Sequence, residues 1–175
     1  MIESSKAWTG RYGRRVLALE LKVGVSAPYT GQQPEGMVLK RANMIWDTGA
    51  TGSVITPAIA HELGLRPIDQ KMVHAAGTQG MKNVYLVNLH LPNNHTIESI
   101  RVTEADLTSP GLEGLIGMDV ISHGDFCVTH ASGDTVVTFR IPSCGEVDYV
   151  KEKRQSVASK ANPKPKEDEP QQMAD

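Results

Sequence analysis

From Arg15 to Val25 the chain reads Arg-Val-Leu-Ala-Leu-Glu-Leu-Lys-Val-Gly-Val, with apolar residues alternating with polar or small ones for most of its length. Successive side chains of a strand point to opposite faces, so this period of two predicts a half-buried strand that opens the domain. Residues Ala27 to Glu35 are rich in turn formers and predict a surface loop; Gly36 to Trp46 returns to strand-like content and runs directly into Asp47-Thr48-Gly49. A short helix is expected next. Thr56 supplies a hydroxyl for the N-cap, Pro57 fits the first helical position, and Gly64 stands where the helix should stop. Beyond it, Met72 to Ala76 and Met81 to Leu91 are extended segments on either side of Gly77-Thr78-Gln79-Gly80, whose composition is that of a hairpin tip. Further strands are expected at Thr96–Thr103, Leu112–Ile116, Asp125–Thr129 and Thr135–Ile141. Many short strands with one or two short helices imply a mainly β barrel or sandwich.

The pattern divides the chain into residues 1–14, expected as a flexible arm, a domain over 15–145, and a tail over 146–175. The tail has almost nothing to bury. Pro163-Lys164-Pro165-Lys166-Glu167-Asp168-Glu169-Pro170 is dense in charge and proline, and burial cannot offset the conformational entropy of such a segment, so disorder is expected. The 175 residues suffice for one domain of roughly 100–150 residues plus ends.

Charge narrows the choice of partner. With 18 basic and 20 acidic residues the chain presents no overall field for nucleic acid or an anionic membrane. Arg11, Arg14 and Arg15 before Val16-Leu17-Ala18-Leu19 superficially suggest a leader, but Glu20 and Lys22 interrupt the apolar run too early. Neither is there a stretch of about 20 apolar residues to span a bilayer. Two cysteines, Cys127 and Cys144, have no metal-ligand spacing and fit a reducing compartment, so a cytoplasmic protein is expected. The six histidines form no metal pair: His61-Glu62 begins like a zinc-peptidase motif, but Leu65 stands where the second histidine is required. No cofactor or metal is expected.

The segment richest in chemistry is Ile45-Trp46-Asp47-Thr48-Gly49-Ala50-Thr51-Gly52-Ser53-Val54-Ile55. An apolar strand delivers a carboxylate at its end, a hydroxyl follows, and Gly49 lets the backbone turn sharply. Alone, Asp-Thr-Gly is an ordinary β-turn. About 70 residues later, Gly114-Leu115-Ile116-Gly117-Met118-Asp119-Val120-Ile121 again places two apolar residues before a glycine.

Together these segments resemble the retropepsin-like aspartic peptidases, whose subunit carries an Asp-Thr/Ser-Gly-Ala loop, a flap hairpin and an apolar-apolar-Gly motif in that order. The resemblance covers roughly Arg15 to Pro142 and is nearest to the cellular and bacterial single-domain branch, which includes the domain of ubiquitin-shuttle proteins. It implies a closed retropepsin-like (acid protease) β-barrel with one or two short helices that works as a homodimer. It also implies an aspartic endopeptidase acting on unfolded or flexible polypeptide, with Asp47 as the catalytic carboxylate. Thr48, Gly49 and Ala50 would support the active-site loop, Ala76, Gly77 and Thr78 would form the flap over substrate, and Ile116 and Gly117 would form the second loop. By the same analogy Val136 to Ile141 would be the dimer-sheet strand, the alternative being a core strand. Asp119 is expected at a helix start, where a carboxylate meets the positive end of the dipole.

Departures from the retroviral pattern also count. Retroviral members pair acidic residues after the Asp-Thr-Gly-Ala with an arginine after the second glycine; here Thr51, Gly52 and Met118 occupy those places, so that ion pair cannot form. A non-catalytic peptide-binding or adaptor module on the same fold is the alternative reading, since fold does not fix activity. Substrate identity, cleavage preference and dimer affinity are not readable from the residues.

Overall fold

The structure is a computed structural model, and it describes residues 5–75, 78–92 and 94–153, with the side chains of 74, 75, 78 and 79 outside the description. Two compact units are present, Met1–Cys144 and Gly145–Asp175. In the first, the described strands are β1 (Lys6–Arg11), β2 (Glu20–Ser26), β3 (Leu39–Trp46), β4 (Val54–Ile55), β5 (Asp69–Ala75), β6 (Thr78–His90), β7 (Thr96–Glu104), β8 (Gly114–Ile116), β9 (Asp125–Thr129) and β10 (Val136–Ile141). Two short helices, α1 (Pro57–Glu62) and α2 (Met118–Ile121), complete the set with a 3-10 turn at Ala131–Gly133.

Strands follow in the order β2-β3-β8-β4-β7-β6-β5, and a further β2–β6 pairing closes six of them into a barrel with β5 outside it. A barrel so closed leaves no free edge among those six strands. Its interior is apolar: Val23, Val25, Met44, Ile55, Val87, Leu89, Val102 and Ile116 are at most 1 % exposed. β3 alternates in its burial, with Ala42, Met44 and Trp46 inward.

The β6–β7 pair carries a bulge where Val87 opposes Ile100 but Leu89 opposes Ile97. Ser99 sits there at φ 55°, and the buried Asn88 stabilises it by accepting the Ser99 N–H at 2.9 Å while donating to the Tyr29 carbonyl at 2.7 Å. A buried amide is tolerated because it is hydrogen-bonded.

A separate three-stranded sheet, β1-β10-β9, packs on the barrel. Both tryptophans and both phenylalanines of the chain meet there. Trp46 of β3 lies 5.4 Å from Trp8, 5.5 Å from Phe126 and 5.2 Å from Phe139, ring centroid to centroid, in edge-on and stacked arrangements that favour aromatic pairs. Spending every large aromatic of this kind on one cluster fixes the sheet against the strand that leads into Asp47.

Several expectations are corrected. Lys6–Arg11, expected within a flexible arm, forms β1, paired along its length with β10. The strand expected from Arg15 starts only at Glu20, because residues before it form a loop tied to Thr135, whose hydroxyl accepts the Val16 N–H at 3.0 Å. β10 is hydrogen-bonded on both sides, to β1 and β9, so it is a central core strand and has no free edge to offer another subunit. The hydroxyl of Thr56 makes no cap bond and is buried without a partner among the described residues; the cap position is filled by backbone geometry and Pro57. In the second unit, residues 149–153 are helical where a disordered tail is expected, because the Asp148 carboxylate accepts the Val150 and Lys151 N–H groups. The rest of the expected tail, 154–175, lies outside the described residues.

Asp125 ties the end of this sheet together. Its carboxylate accepts from the Cys144 N–H at 2.9 Å, the Ser143 hydroxyl and the Arg140 guanidinium, and these bonds, in that order, lower its pKa from 3.8 to about 2. A carboxyl depressed in the folded state stabilises above its unfolded pKa, and the gain is lost as pH falls through the folded value. Asp125→Asn is therefore expected to lower the urea midpoint at neutral pH, with the gap to wild type closing between pH 3.8 and about 2. A gap unchanged across that window would contradict the assignment.

Candidate active site

Two loops meet at the end of β3. β8 lies between β3, with which it is parallel, and β4, with which it is antiparallel, so it feeds its own loop directly against the one that follows Trp46. The Asp47 N–H continues the β3–β8 ladder by donating to the Ile116 carbonyl at 2.9 Å. The chain then turns: the Ala50 N–H reaches the Asp47 carbonyl at 3.2 Å, and the Met118 N–H reaches the Ala50 carbonyl at 2.8 Å. Each loop thereby satisfies backbone groups of the other, as buried amides require.

Gly117 is needed at this crossing for space. A Cβ there would lie 2.7 Å from the Gly52 carbonyl carbon and 3.0 Å from the Ala50 oxygen, both backbone atoms that have nowhere to go. Gly114 is similarly enclosed, with the Val54 oxygen 2.8 Å from where its Cβ would stand. The two glycines that flank Leu115-Ile116 are thus a packing requirement of the site.

A side-chain clasp that the sequence reading missed locks the crossing. The Ser53 hydroxyl, 1 % exposed, donates to Asp119 Oδ1 at 2.8 Å and accepts the Gly117 N–H at 3.0 Å. The Ser53 N–H donates to Asp119 Oδ2 at 2.9 Å. Both oxygens of Asp119 are engaged, so its function in α2 is to clasp the Asp47 loop rather than merely to meet a helix dipole. The clasp occupies the region where the retroviral pattern has an ion pair, and it is built from a serine and an aspartate of one chain. The sequence signal was the recurrence of a hydroxyl six residues after Asp47 and a carboxylate two after Gly117, which no local rule connects.

Asp47 itself is half-buried, with Thr48 and Gly49 exposed and Ala50 half-buried. Its Oδ1 accepts the Gly49 N–H at 2.8 Å, which orients the carboxylate against its own loop. Ile116 is buried beneath it. Asp47, Thr48, Gly49, Ala50, Ile116 and Gly117 therefore lie together where the two loops cross. Ala76 and Gly77 lie outside the described residues. Thr78 begins β6 opposite Ala75, and Gly80 opposes Val73, so Thr78, Gln79 and Gly80, expected in the hairpin tip, are paired strand residues. Met72 and Met81 face each other across that hairpin, both about half exposed. Among the described residues, no three His, Cys, Asp or Glu side chains converge on a common point suited to a metal ion.

A closed barrel whose strand ends in Asp-Thr-Gly, crossed by a second apolar-apolar-Gly loop, defines an acid-protease domain. Residues 34–120 match the aspartyl protease family model, and the retropepsin-like aspartic proteases are the family that the chain resembles. Among solved structures it is similar to a retropepsin-like aspartic protease from Rickettsia conorii, at 11 % identity and a TM-score of 0.48, over 81 % of this chain and 98 % of that one. It is also similar to the retroviral protease-like domain of Ddi1 from Leishmania major, at 17 % identity and a TM-score of 0.40, over 74 % of this chain and 98 % of that one. Comparison with curated proteins found no match.

Ser53→Ala removes one donor, one acceptor and no packing volume of note, leaving the Asp119 carboxylate and the Gly117 N–H short of partners. A loss of about 1–3 kcal/mol in unfolding free energy is expected by chemical denaturation. A variant as stable as wild type would show that the clasp carries no weight.

Proposed function

We propose that the protein is an aspartic endopeptidase whose dyad is assembled from Asp47 of two identical subunits. The observation that carries this reading is the Asp47-Thr48-Gly49 loop, hydrogen-bonded to the β8 loop, with Asp47 half-buried and Thr48 and Gly49 exposed. The mechanism needs a second carboxylate a few ångströms away. Asp119 is unsuited, since both its oxygens are taken by Ser53, and the chain has a single Asp-Thr-Gly. A two-fold axis beside the loop supplies the partner, because such an axis brings the same residue of each copy together.

In such a pair, as is established for aspartic-protease dyads generally, like charges so close cannot both ionise, and one proton is shared. The ionised carboxylate takes a proton from water as the water oxygen attacks the scissile carbonyl carbon. The protonated carboxyl polarises the carbonyl oxygen, and the tetrahedral adduct collapses with protonation of the leaving amine. Thr48 would stiffen the paired loops across the axis, and Gly49 would offer its backbone to substrate. The hairpin of β5 and β6, with Ala76, Gly77 and Thr78 at and beside its tip, would close over an extended peptide and exclude water. A strand-like substrate conformation confines cleavage to unfolded or flexible chains. Ala50 lacks a hydroxyl to hydrogen-bond the ionised dyad, and the activity optimum in this reading is less acidic than pepsin's.

The domain boundaries in this reading are 15–145 for the protease domain, widened at its start to include β1. The cytoplasm is the proposed location, supported by a sequence with only two cysteines, far apart and in no framework spacing, which fits a reducing compartment.

Incubation of wild type and Asp47→Asn with an unfolded protein from acidic to neutral pH, followed by mass-spectrometric mapping of termini, tests the proposal. New termini are expected with wild type alone, most abundant at mildly acidic pH. Equal absence of cleavage in both, with dimer present, would support a peptide-binding module instead.

A further inference from the structure

Where β2 runs between β3 and β6, a cavity of about 480 Å³ opens on the outer face of the barrel. That volume lies within the range of small-molecule pockets, roughly 300–1,000 Å³. Its floor is Gly24, where a Cβ would lie 2.9 Å from His90 Cβ and 3.0 Å from Leu39 Cδ1, so only hydrogen lets His90 pack across the strand. His90 Nε2 is 3.0 Å from the Ser26 hydroxyl and Nδ1 is 3.2 Å from that of Thr96, which occupies both ring nitrogens. Burial lowers the pKa of this ring, so it closes the floor as a neutral group. The cavity is remote from Asp47: Arg41, on its wall, lies six residues before Asp47, about 20 Å along an extended strand.

The charge of this cavity has one sign. Val23 and Ala42 are buried in the barrel, so Lys22 and Arg41 face outward, and both line the cavity. Lys22 opposes Asn43 and Arg41 opposes Gly24, which makes the two cations diagonal neighbours on adjoining strands, within reach of each other for side chains this long. Among the described residues neither forms an ion pair, and no carboxylate lines the cavity. The one carboxylate of β2, Glu20, accepts from the Asn43 amide at 3.0 Å instead. A lone solvated cation needs no partner, but two that converge on one cavity repel each other and attract an anion. Gln33 and Asn94 add amides, and Leu39 and Leu91 an apolar wall. We propose that this cavity binds a small organic phosphate, its dianionic head held between Arg41 and Lys22 and its body lying against Leu39 and Leu91. Charge balance selects the class: a phosphate monoester carries about −1.5 to −2 at neutral pH, which two cations match, whereas a carboxylate neutralises only one. Arg41 brings a planar fork of donors and Lys22 a point charge, two complementary ways of holding a phosphoryl group. The inference is independent of the two-subunit dyad proposed above.

The test titrates the full chain with phenyl phosphate, with benzoate as the monoanion and phenol as the neutral control, read by calorimetry and by backbone amide shifts. Phenyl phosphate is expected to bind one per chain, with the largest shifts at Lys22, Gly24 and His90, and benzoate to bind about tenfold more weakly or worse. Lys22→Gln and Arg41→Gln should each weaken phenyl phosphate about tenfold or more, with Arg41→Lys between Arg41→Gln and wild type. Both side chains are exposed, so the variants should melt like wild type without ligand. Asp47→Asn should bind as wild type does. The amide shifts locate the ligand in the wild-type chain without any substitution, and shifts centred elsewhere would overturn the proposal. So would the absence of saturable binding at millimolar phenyl phosphate, undiminished binding by a folded Lys22→Gln/Arg41→Gln double variant, or benzoate binding as tightly as the phosphate. Loss of binding in Asp47→Asn would put the ligand at the dyad and overturn it as well.

Discussion

The site depends on two backbone loops lying closer together than any side chain larger than hydrogen allows. At Gly117 a Cβ would fall 2.7–3.0 Å from backbone atoms of Gly52 and Ala50. That approach lets the Met118 N–H reach Ala50 and the Ser53 hydroxyl reach Gly117. From it follow the position of α2, the clasp of Asp119 on Ser53, and the orientation of Asp47 at the end of β3. The barrel exists in part to make this possible: only because β8 is inserted between β3 and β4 do two segments about 70 residues apart share one turn.

A second constraint works from outside the barrel. The sheet of β1, β9 and β10 presses Trp8, Phe126 and Phe139 around Trp46, the residue before Asp47. Both indole N–H groups are buried without a hydrogen-bond partner among the described residues, a cost set against the large apolar area that these rings remove from water. Loop geometry on one side and aromatic packing on the other leave the carboxylate little freedom, as pre-organised chemistry requires. The outer surface of the loop is left exposed, which is the feature a two-subunit site needs.

What was legible in the sequence was whatever a local rule governs. Strand-like content located β3, β7, β9 and β10 to within a residue or a few; the proline and glycine bounded α1; and the order of Asp-Thr-Gly, hairpin and Ile-Gly carried the family resemblance. Elements whose stability comes from distant partners were missed. Lys6–Arg11 is polar and short, and becomes a strand only because β10, about 130 residues away, pairs with it. Residues 15–19 alternate as a strand would, yet hydrogen bonds to Thr135 and Trp46 hold them as a loop. Ser53 and Asp119 have no spacing that announces a contact, since the fold alone brings them together.

The central claim is that one catalytic carboxylate comes from each of two subunits, and mixing subunits tests it most directly. Wild-type and Asp47→Asn chains are denatured together in varied proportions, refolded so that subunits pair at random, and assayed for peptide cleavage at fixed total concentration. The account predicts activity proportional to the square of the wild-type fraction, because a dimer with one altered subunit lacks the dyad. Activity that falls in simple proportion to the wild-type fraction would mean that each chain carries a complete site, and would contradict it.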